Sequence, residues 1–142
     1  MATAGMGDAE AGGRAAPSTT PTPTSVEGHL LACCQDQMRA DVLVVGHHGN
    51  MSSSRKALLD AVGAKLFLVS AGPTKYYTAV SPDQIVIDEL STLGTVMQTD
   101  TNDASCKTST TKIGVQNDGE AEGCNNIRVT LDDSGVRAVY FP

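Results

Sequence analysis

Two continuous apolar runs of strand length constrain the fold of this chain most strongly. They are "DVLVV" at 41–45 and "KLFLVSAG" at 65–72. Such runs are typical of strands buried on both faces of a parallel sheet. Between the two runs, apolar residues recur at the spacing of a helix that faces a core. These residues are Ala57, Leu58, Ala61 and Val62. The order strand, helix, strand predicts a right-handed crossover and parallel pairing.

The rest of the chain supplies further helices and strands. The pattern predicts helices at 26–40 and 81–94 and strands at 95–100, 108–115, 125–132 and 136–141. Ser81 is the expected N-cap of the later helix, with Pro82 at its first position. The final strands are separated by hairpin-like turns, which favours an antiparallel arrangement there. The predicted fold class is therefore mixed α/β, a parallel part followed by antiparallel strands.

Length, charge and hydropathy suggest one domain and give no indication of nucleic-acid binding or a membrane span. The length of 142 residues suits one domain, and the Ala/Pro/Thr-rich residues 1–25 are expected to form a flexible segment before a domain at 26–142. The net charge is −6 and there is no Lys/Arg cluster, so the electrostatic signature of nucleic-acid binding is missing. No apolar run reaches the length of a membrane-spanning helix, and the N-terminus lacks a signal-peptide pattern.

The four cysteines leave the redox state open. Cys33 and Cys34 fall in the first predicted helix, where neighbouring side chains point to different faces. Cys106 and Cys124 flank a polar region, and they are either bridged or free thiols. A bridge would indicate an oxidising compartment, which favours an extracytoplasmic location.

The first apolar run ends in "GHHG", which carries two of the three histidines. Gly46 and Gly49 permit a tight backbone around His47 and His48. In open α/β sheets, ligands bind beyond the carboxyl ends of the strands, where this turn is expected. Imidazole is a common metal ligand, so a metal site is one interpretation of the pair. Helix capping, or filling of polar space in a turn, is the other.

Several other polar residues have two interpretations each. Ser52 and Ser53 either cap the following helix or contact a substrate near the histidines. Tyr76 and Tyr77 are expected at the same edge of the sheet, lining a substrate groove or packing as a wall. His29 lies alone in a predicted helix, which is typical of a surface residue.

The stretches "GDAE" at 7–10 and "ADVLVVGHHG" at 40–49, followed by serines and a helix, resemble the C-terminal part of the metallo-β-lactamase superfamily. The likeness is to the hydrolase domain of ComEC-type competence proteins, over roughly residues 5–100. The resemblance implies part of a four-layer αββα sandwich with two Zn²⁺ ions between its sheets. It also implies hydrolysis of a phosphoester or another ester by a metal-bound water that loses its proton near neutral pH.

The resemblance also assigns roles to individual residues. It implies that Asp8 is the bridging carboxylate and that His48 is a ligand of the second metal. It implies that His47 contacts the substrate or its phosphate, or binds the metal as a further ligand. The catalytic pair would then be His47 and Asp8, while Ser52, Ser53, Tyr76 and Tyr77 would contact the substrate.

Two departures limit what this chain is expected to do. The family signature "HxHxDH" is not in the sequence, and "YYTAVSPDQ" replaces the His-Pro pair of many relatives. The chain therefore corresponds to the second half of the fold, with an incomplete metal site, weak zinc binding and little activity. Sheet surface left by a missing half would promote self-association. The alternative is a small, non-catalytic α/β interaction domain in which the histidine turn is structural.

Overall fold

The structure is a computed structural model that describes residues 1–71, 75–76, 79–99 and 126–141. Three helices and eight strands are formed by these residues. They are β1 (Thr3–Gly5), α1 (Val26–Cys34), β2 (Val42–Val44), α2 (Lys56–Val62), β3 (Leu66–Val69), β4 (Lys75–Tyr76), β5 (Ala79–Val80), α3 (Gln84–Leu93), β6 (Thr95–Gln98), β7 (Asn126–Asp132) and β8 (Gly135–Phe141).

A parallel sheet with the order β1-β2-β3-β6 forms the centre of the fold. The strands β7 and β8 form a separate antiparallel pair. This confirms the mixed α/β class, with a parallel part followed by antiparallel strands. The strand predicted at 108–115 lies outside the described residues, as do Cys106 and Cys124.

The core lies on one face of the parallel sheet. Because side chains alternate along a strand, Leu43 and Val45 share a face with Phe67 and Val69. These residues form one buried cluster with side chains of α2 and α3. The helical members of the cluster are Leu58, Leu59, Val62, Val86 and Leu90. The opposite face of the sheet is also apolar, since it carries Val42, Val44, Leu66 and Leu68.

Residues 1–25, expected to be a flexible segment, contact the sheet and the loops around it. Strand β1 pairs with β2, although Thr-Ala-Gly carries no apolar pattern that predicts a strand. Further along, Ala11 is 2% exposed and its N–H donates to the carbonyl of Ser52 at 2.7 Å. The segment therefore lies beside the serine-containing loop that follows the histidine turn.

Three helix boundaries differ from those predicted. The helix α1 ends at Cys34, and a disulfide joins Cys33 to Cys34, so these side chains do not point to separate helix faces. The N-cap of α2 is Arg55 and not a serine. The N-cap of α3 is Asp83 and not Ser81, and the N–H of Asp83 donates to the carbonyl of Gly49 at 3.0 Å. The serines predicted to cap α2 instead bind the histidine turn, Ser52 through the ring of His47 and Ser53 through the carbonyl of Gly46.

No helix within the described ranges is long and apolar enough to cross a membrane.

Candidate functional site

The turn Gly46–Gly49 follows β2 at the carboxyl edge of the parallel sheet, as predicted. His47 and His48 both adopt left-handed backbone conformations, with φ values of 46° and 56°. Non-glycine residues rarely adopt this conformation, and two in succession need support from their surroundings. Gly49 is also left-handed, and a Cβ there would lie 2.8 Å from the Cβ of Pro82. Glycine is therefore required at 49 by both conformation and space.

Backbone hydrogen bonds hold the turn from two sides. The N–H of His47 donates to the carbonyl of Gly7 at 2.7 Å, and the N–H of Asn50 donates to the carbonyl of His47 at 2.9 Å. Ser53, which is fully buried, donates its hydroxyl to the carbonyl of Gly46 at 2.7 Å. The turn is thus fixed against both the N-terminal loop and the interior.

The ring of His48 is oriented by a backbone carbonyl. Its Nδ1 lies 2.5 Å from the carbonyl oxygen of Ser70, the residue after β3. Because a carbonyl can only accept, Nδ1 carries the proton and Nε2 of the neutral ring has a lone pair. The His48 side chain is exposed. This is the arrangement in which a histidine presents Nε2 to a metal or to a substrate proton.

The ring of His47 meets two oxygen atoms through Nδ1. The hydroxyl of Ser52 is 2.7 Å away and the carboxylate of Glu10 is 3.4 Å away. Among the described residues, no hydrogen bond engages Nε2 of either histidine. Ser52 is 5% exposed, so it faces the ring more than the solvent. Because the serine occupies Nδ1, the open side of the ring is its Nε2 side.

Asp8 lies in the loop beside the histidine turn. It directly follows Gly7, whose carbonyl accepts from His47, and it is exposed. The carboxylate in contact with His47 belongs to Glu10, which was not among the predicted site residues. Within the described part of the chain, no group of three or more His, Cys, Asp or Glu side chains is arranged to hold a metal ion.

Ser52 and Ser53 are both buried, but they have different partners. Ser53 is turned inward, whereas Ser52 contacts a histidine ring. Tyr76 belongs to β4, where it pairs with Ala79 of β5. Tyr77 lies outside the described residues.

Two buried charged residues beneath the serines, Glu27 and Arg55, were missed in the sequence. Glu27 of α1 is 1% exposed, and its carboxylate accepts from the N–H groups of Ser54 and Arg55. Burial raises the pKa of Glu27, while those two backbone donors and the charge of Arg55 oppose the rise. Glu27 is the buried residue of α1.

Arg55 anchors the N-terminal segment to this region. It is 2% exposed, and its guanidinium donates to backbone carbonyls of the N-terminal segment and of the loop after the histidine turn. The acceptors are the carbonyls of Gly13, Ala15, Ala16 and Met51. Burial lowers the pKa of Arg55, and the charge of Glu27 opposes that shift. Its Nε has no hydrogen-bond partner among the described residues.

A cleft of about 570 Å³ lies at the opposite, amino edge of the sheet. Its lining includes Asp41, Lys65, Thr95 and Arg137 together with apolar residues. No histidine lines it, and the carboxyl edge therefore remains the candidate site.

No family model, curated protein or solved structure matches the chain.

Proposed function

We propose that this chain is part of a metal-dependent hydrolase of the metallo-β-lactamase type that cleaves a phosphoester or another ester. The observation that carries the proposal is the bond between Nδ1 of His48 and the carbonyl of Ser70, at 2.5 Å. A metal-binding histidine commonly donates its other ring N–H to such a carbonyl, which fixes the tautomer and increases the basicity of the ligand nitrogen.

The location of the turn supports the same proposal. The histidines lie at the carboxyl edge of a parallel sheet, where α/β proteins bind ligands. Their left-handed conformations are the kind of backbone strain that occurs at functional sites. The face of the sheet opposite α2 and α3 is also apolar, as packing against a second sheet layer in a four-layer sandwich requires.

The donor types at this edge fit zinc. His48 and His47 would provide imidazole nitrogen, and Asp8 would provide a carboxylate oxygen, which are usual zinc ligands. A bound zinc ion would supply an acidified water and stabilise negative charge that develops during hydrolysis. Ser52 would hold the ring of His47 through Nδ1, so that Nε2 of this residue stays available to the metal as a further ligand.

The proposed site is incomplete in this chain. Zinc prefers three or four converging ligands, and no such group is found within the described residues. Other ligands, of the kind that the "HxHxDH" signature provides, would have to come from elsewhere. Weak zinc binding and little hydrolysis are therefore expected of the chain by itself.

Zinc titration by calorimetry near pH 7.5 tests the proposal. We expect weak binding that is lost in His48→Ala and reduced in Asp8→Asn. The matched controls are His29→Ala and Asp36→Asn, which remove an exposed imidazole and an exposed carboxylate away from this edge. Equal zinc binding by His48→Ala and His29→Ala would overturn the proposal. Tight binding of two zinc ions per chain would contradict the incomplete site.

A non-catalytic interaction domain is the second candidate. The observation that favours it is the lack of a complete metal-binding group in the described residues. In this case the histidine turn only connects β2 to the serine loop. His48→Ala would then lower the free energy of unfolding without changing metal content, as measured by elemental analysis of the purified variant.

A further inference from the structure

Arg14 lies at the carboxyl edge of the sheet and bridges two polar side chains. Its Nη1 donates to Oδ1 of Asn50 and its Nη2 donates to Oδ1 of Asp83, both at 2.8 Å. Asn50 directly follows the histidine turn, and Asp83 caps α3. The arginine therefore connects the N-terminal segment to two elements that are distant in sequence.

The two acceptors also hold the backbone that leads to Ser52. Oδ1 of Asn50 accepts from the N–H of Ser52 at 3.0 Å. Oδ2 of Asp83 accepts from the N–H of Met51 at 2.7 Å. Consecutive backbone donors after the turn are thus fixed by the same side chains that Arg14 holds.

Ser52 connects the Asn50 side chain to the ring of His47. Its N–H is bound by Asn50, and its hydroxyl lies 2.7 Å from Nδ1 of His47. The path runs from Arg14 through Asn50 and Ser52 to the ring of His47 by direct hydrogen bonds. Movement of the Asn50 amide would therefore shift the partner that orients this ring.

We propose that Arg14 is a positioning residue for His47, which acts by holding Asn50 and Asp83 so that Ser52 fixes the imidazole ring. The inference rests on the proposed function only in its consequence for metal binding. It assigns a role at the candidate site to a residue of the segment 1–25, which the sequence suggested was flexible. Arg14 also differs from an ordinary surface ion pair. The two side chains that accept from its Nη1 and Nη2, those of Asn50 and Asp83, also accept from the backbone N–H groups of Ser52 and Met51.

The expected consequence is a weaker metal site in a chain that stays folded. The Arg14 side chain is 44% exposed, and partly exposed ion pairs contribute little to folding. In contrast, loss of a residue that orients a metal ligand commonly lowers metal affinity about 10-fold or more. A purely structural role would affect unfolding and leave the His47 ring unchanged.

The test uses Arg14→Gln and Arg14→Lys, with Arg39→Gln as the control for loss of an exposed arginine. The first measurement is the ring ¹⁵N spectrum of the three histidines in the metal-free protein. The second is zinc affinity by titration with Zn²⁺ alone. We expect Arg14→Gln to change the His47 ring signals, to leave those of His29 unchanged, and to weaken zinc binding about 10-fold. Arg14→Lys should retain part of the parent chain's His47 ring signals and zinc affinity. Arg39→Gln should match the parent chain in both measurements.

Unchanged His47 ring signals in Arg14→Gln would overturn the inference. If the parent chain binds no zinc but its His47 signals respond to Arg14→Gln, the positioning role stands and the proposed metal site fails. If the parent chain binds zinc and Arg14→Gln changes neither measurement, the positioning role fails and the metal site stands. Should Arg14→Gln unfold the chain, the same two measurements on Arg14→Lys decide the outcome.

Discussion

The loop containing Ser52–Ser54 separates two polar regions that differ in how their hydrogen-bonding groups are used. On the inner side, Glu27 and Arg55 are almost completely buried and bind backbone groups. On the outer side, His47 and His48 are fixed through Nδ1, while Nε2 has no hydrogen bond among the described residues. The difference indicates that the inner pair supports the fold, whereas the outer pair retains basic nitrogens for a ligand.

The largest effect that separates the two regions is expected from Arg55→Met. The change removes the donor to several backbone carbonyls and the positive charge that opposes the rise in the pKa of Glu27. Leaving a buried polar group without its hydrogen bond typically costs about 1–3 kcal/mol, and Arg55 serves several such acceptors. Urea denaturation measures the loss, with Arg39→Met as the exposed control. A loss similar to that of the control would mean that the inner region does not support the fold.

A smaller effect is expected when His48 is replaced by Gly or by Ala. Both changes remove the imidazole, but only glycine adopts the left-handed backbone without strain. We expect His48→Gly to be more stable than His48→Ala by about 1 kcal/mol, measured by thermal or urea unfolding. Both variants should lose zinc binding equally. Equal stability of the two variants would show that residue 48 does not keep its left-handed conformation in solution.

The inner carboxyl group gives stability a defined pH dependence. Because the pKa of Glu27 is raised above its ordinary value of 4.5, the folded chain holds this proton to higher pH than the unfolded chain does. Unfolding free energy therefore falls as pH rises from 4.5 through the raised pKa. Glu27→Gln removes this dependence, so the difference between the two unfolding curves isolates it. A difference that does not vary with pH would contradict the raised pKa.

The smallest effect is expected on the exposed surface of α2. Lys56 and Asp60 form an ion pair at 2.8 Å with side chains about half exposed. Pairs of this spacing contribute about 0.2–0.5 kcal/mol to helix stability. Lys56→Ala should therefore change the free energy of unfolding by no more than about 0.5 kcal/mol. A loss comparable to that of Arg55→Met would remove the contrast between buried and exposed charges.

The elements that could be predicted from the sequence are those with a local signal. The apolar runs predicted β2 and β3 because continuous burial requires consecutive apolar residues. The same runs placed the histidine turn at the carboxyl edge of the sheet. In contrast, β1 is only three residues long, and its pairing with β2 depends on contacts that no local pattern encodes.

The contacts of the candidate site were harder to predict for the same physical reason. Glu10 contacts His47, and Arg14 bridges Asn50 and Asp83. The two residues of each contact are more than 30 positions apart in the sequence, so hydrophobic periodicity carries no information about these contacts. The proline- and threonine-rich composition of residues 1–25 suggested flexibility. Composition does not reveal that backbone carbonyls of this segment accept hydrogen bonds from Arg55. The one available signal was the unusual presence of Glu27 within an apolar helical stretch.

The central claim is that the two histidines at the carboxyl edge form part of a metal site. Ring ¹⁵N spectra of all three histidines during titration with Zn²⁺ test this claim most directly, because they report each imidazole separately even when binding is weak. We expect His47 and His48 to respond together and saturably at Nε2, while His29 does not respond. Equal responses from all three rings, or none from His48, would contradict it.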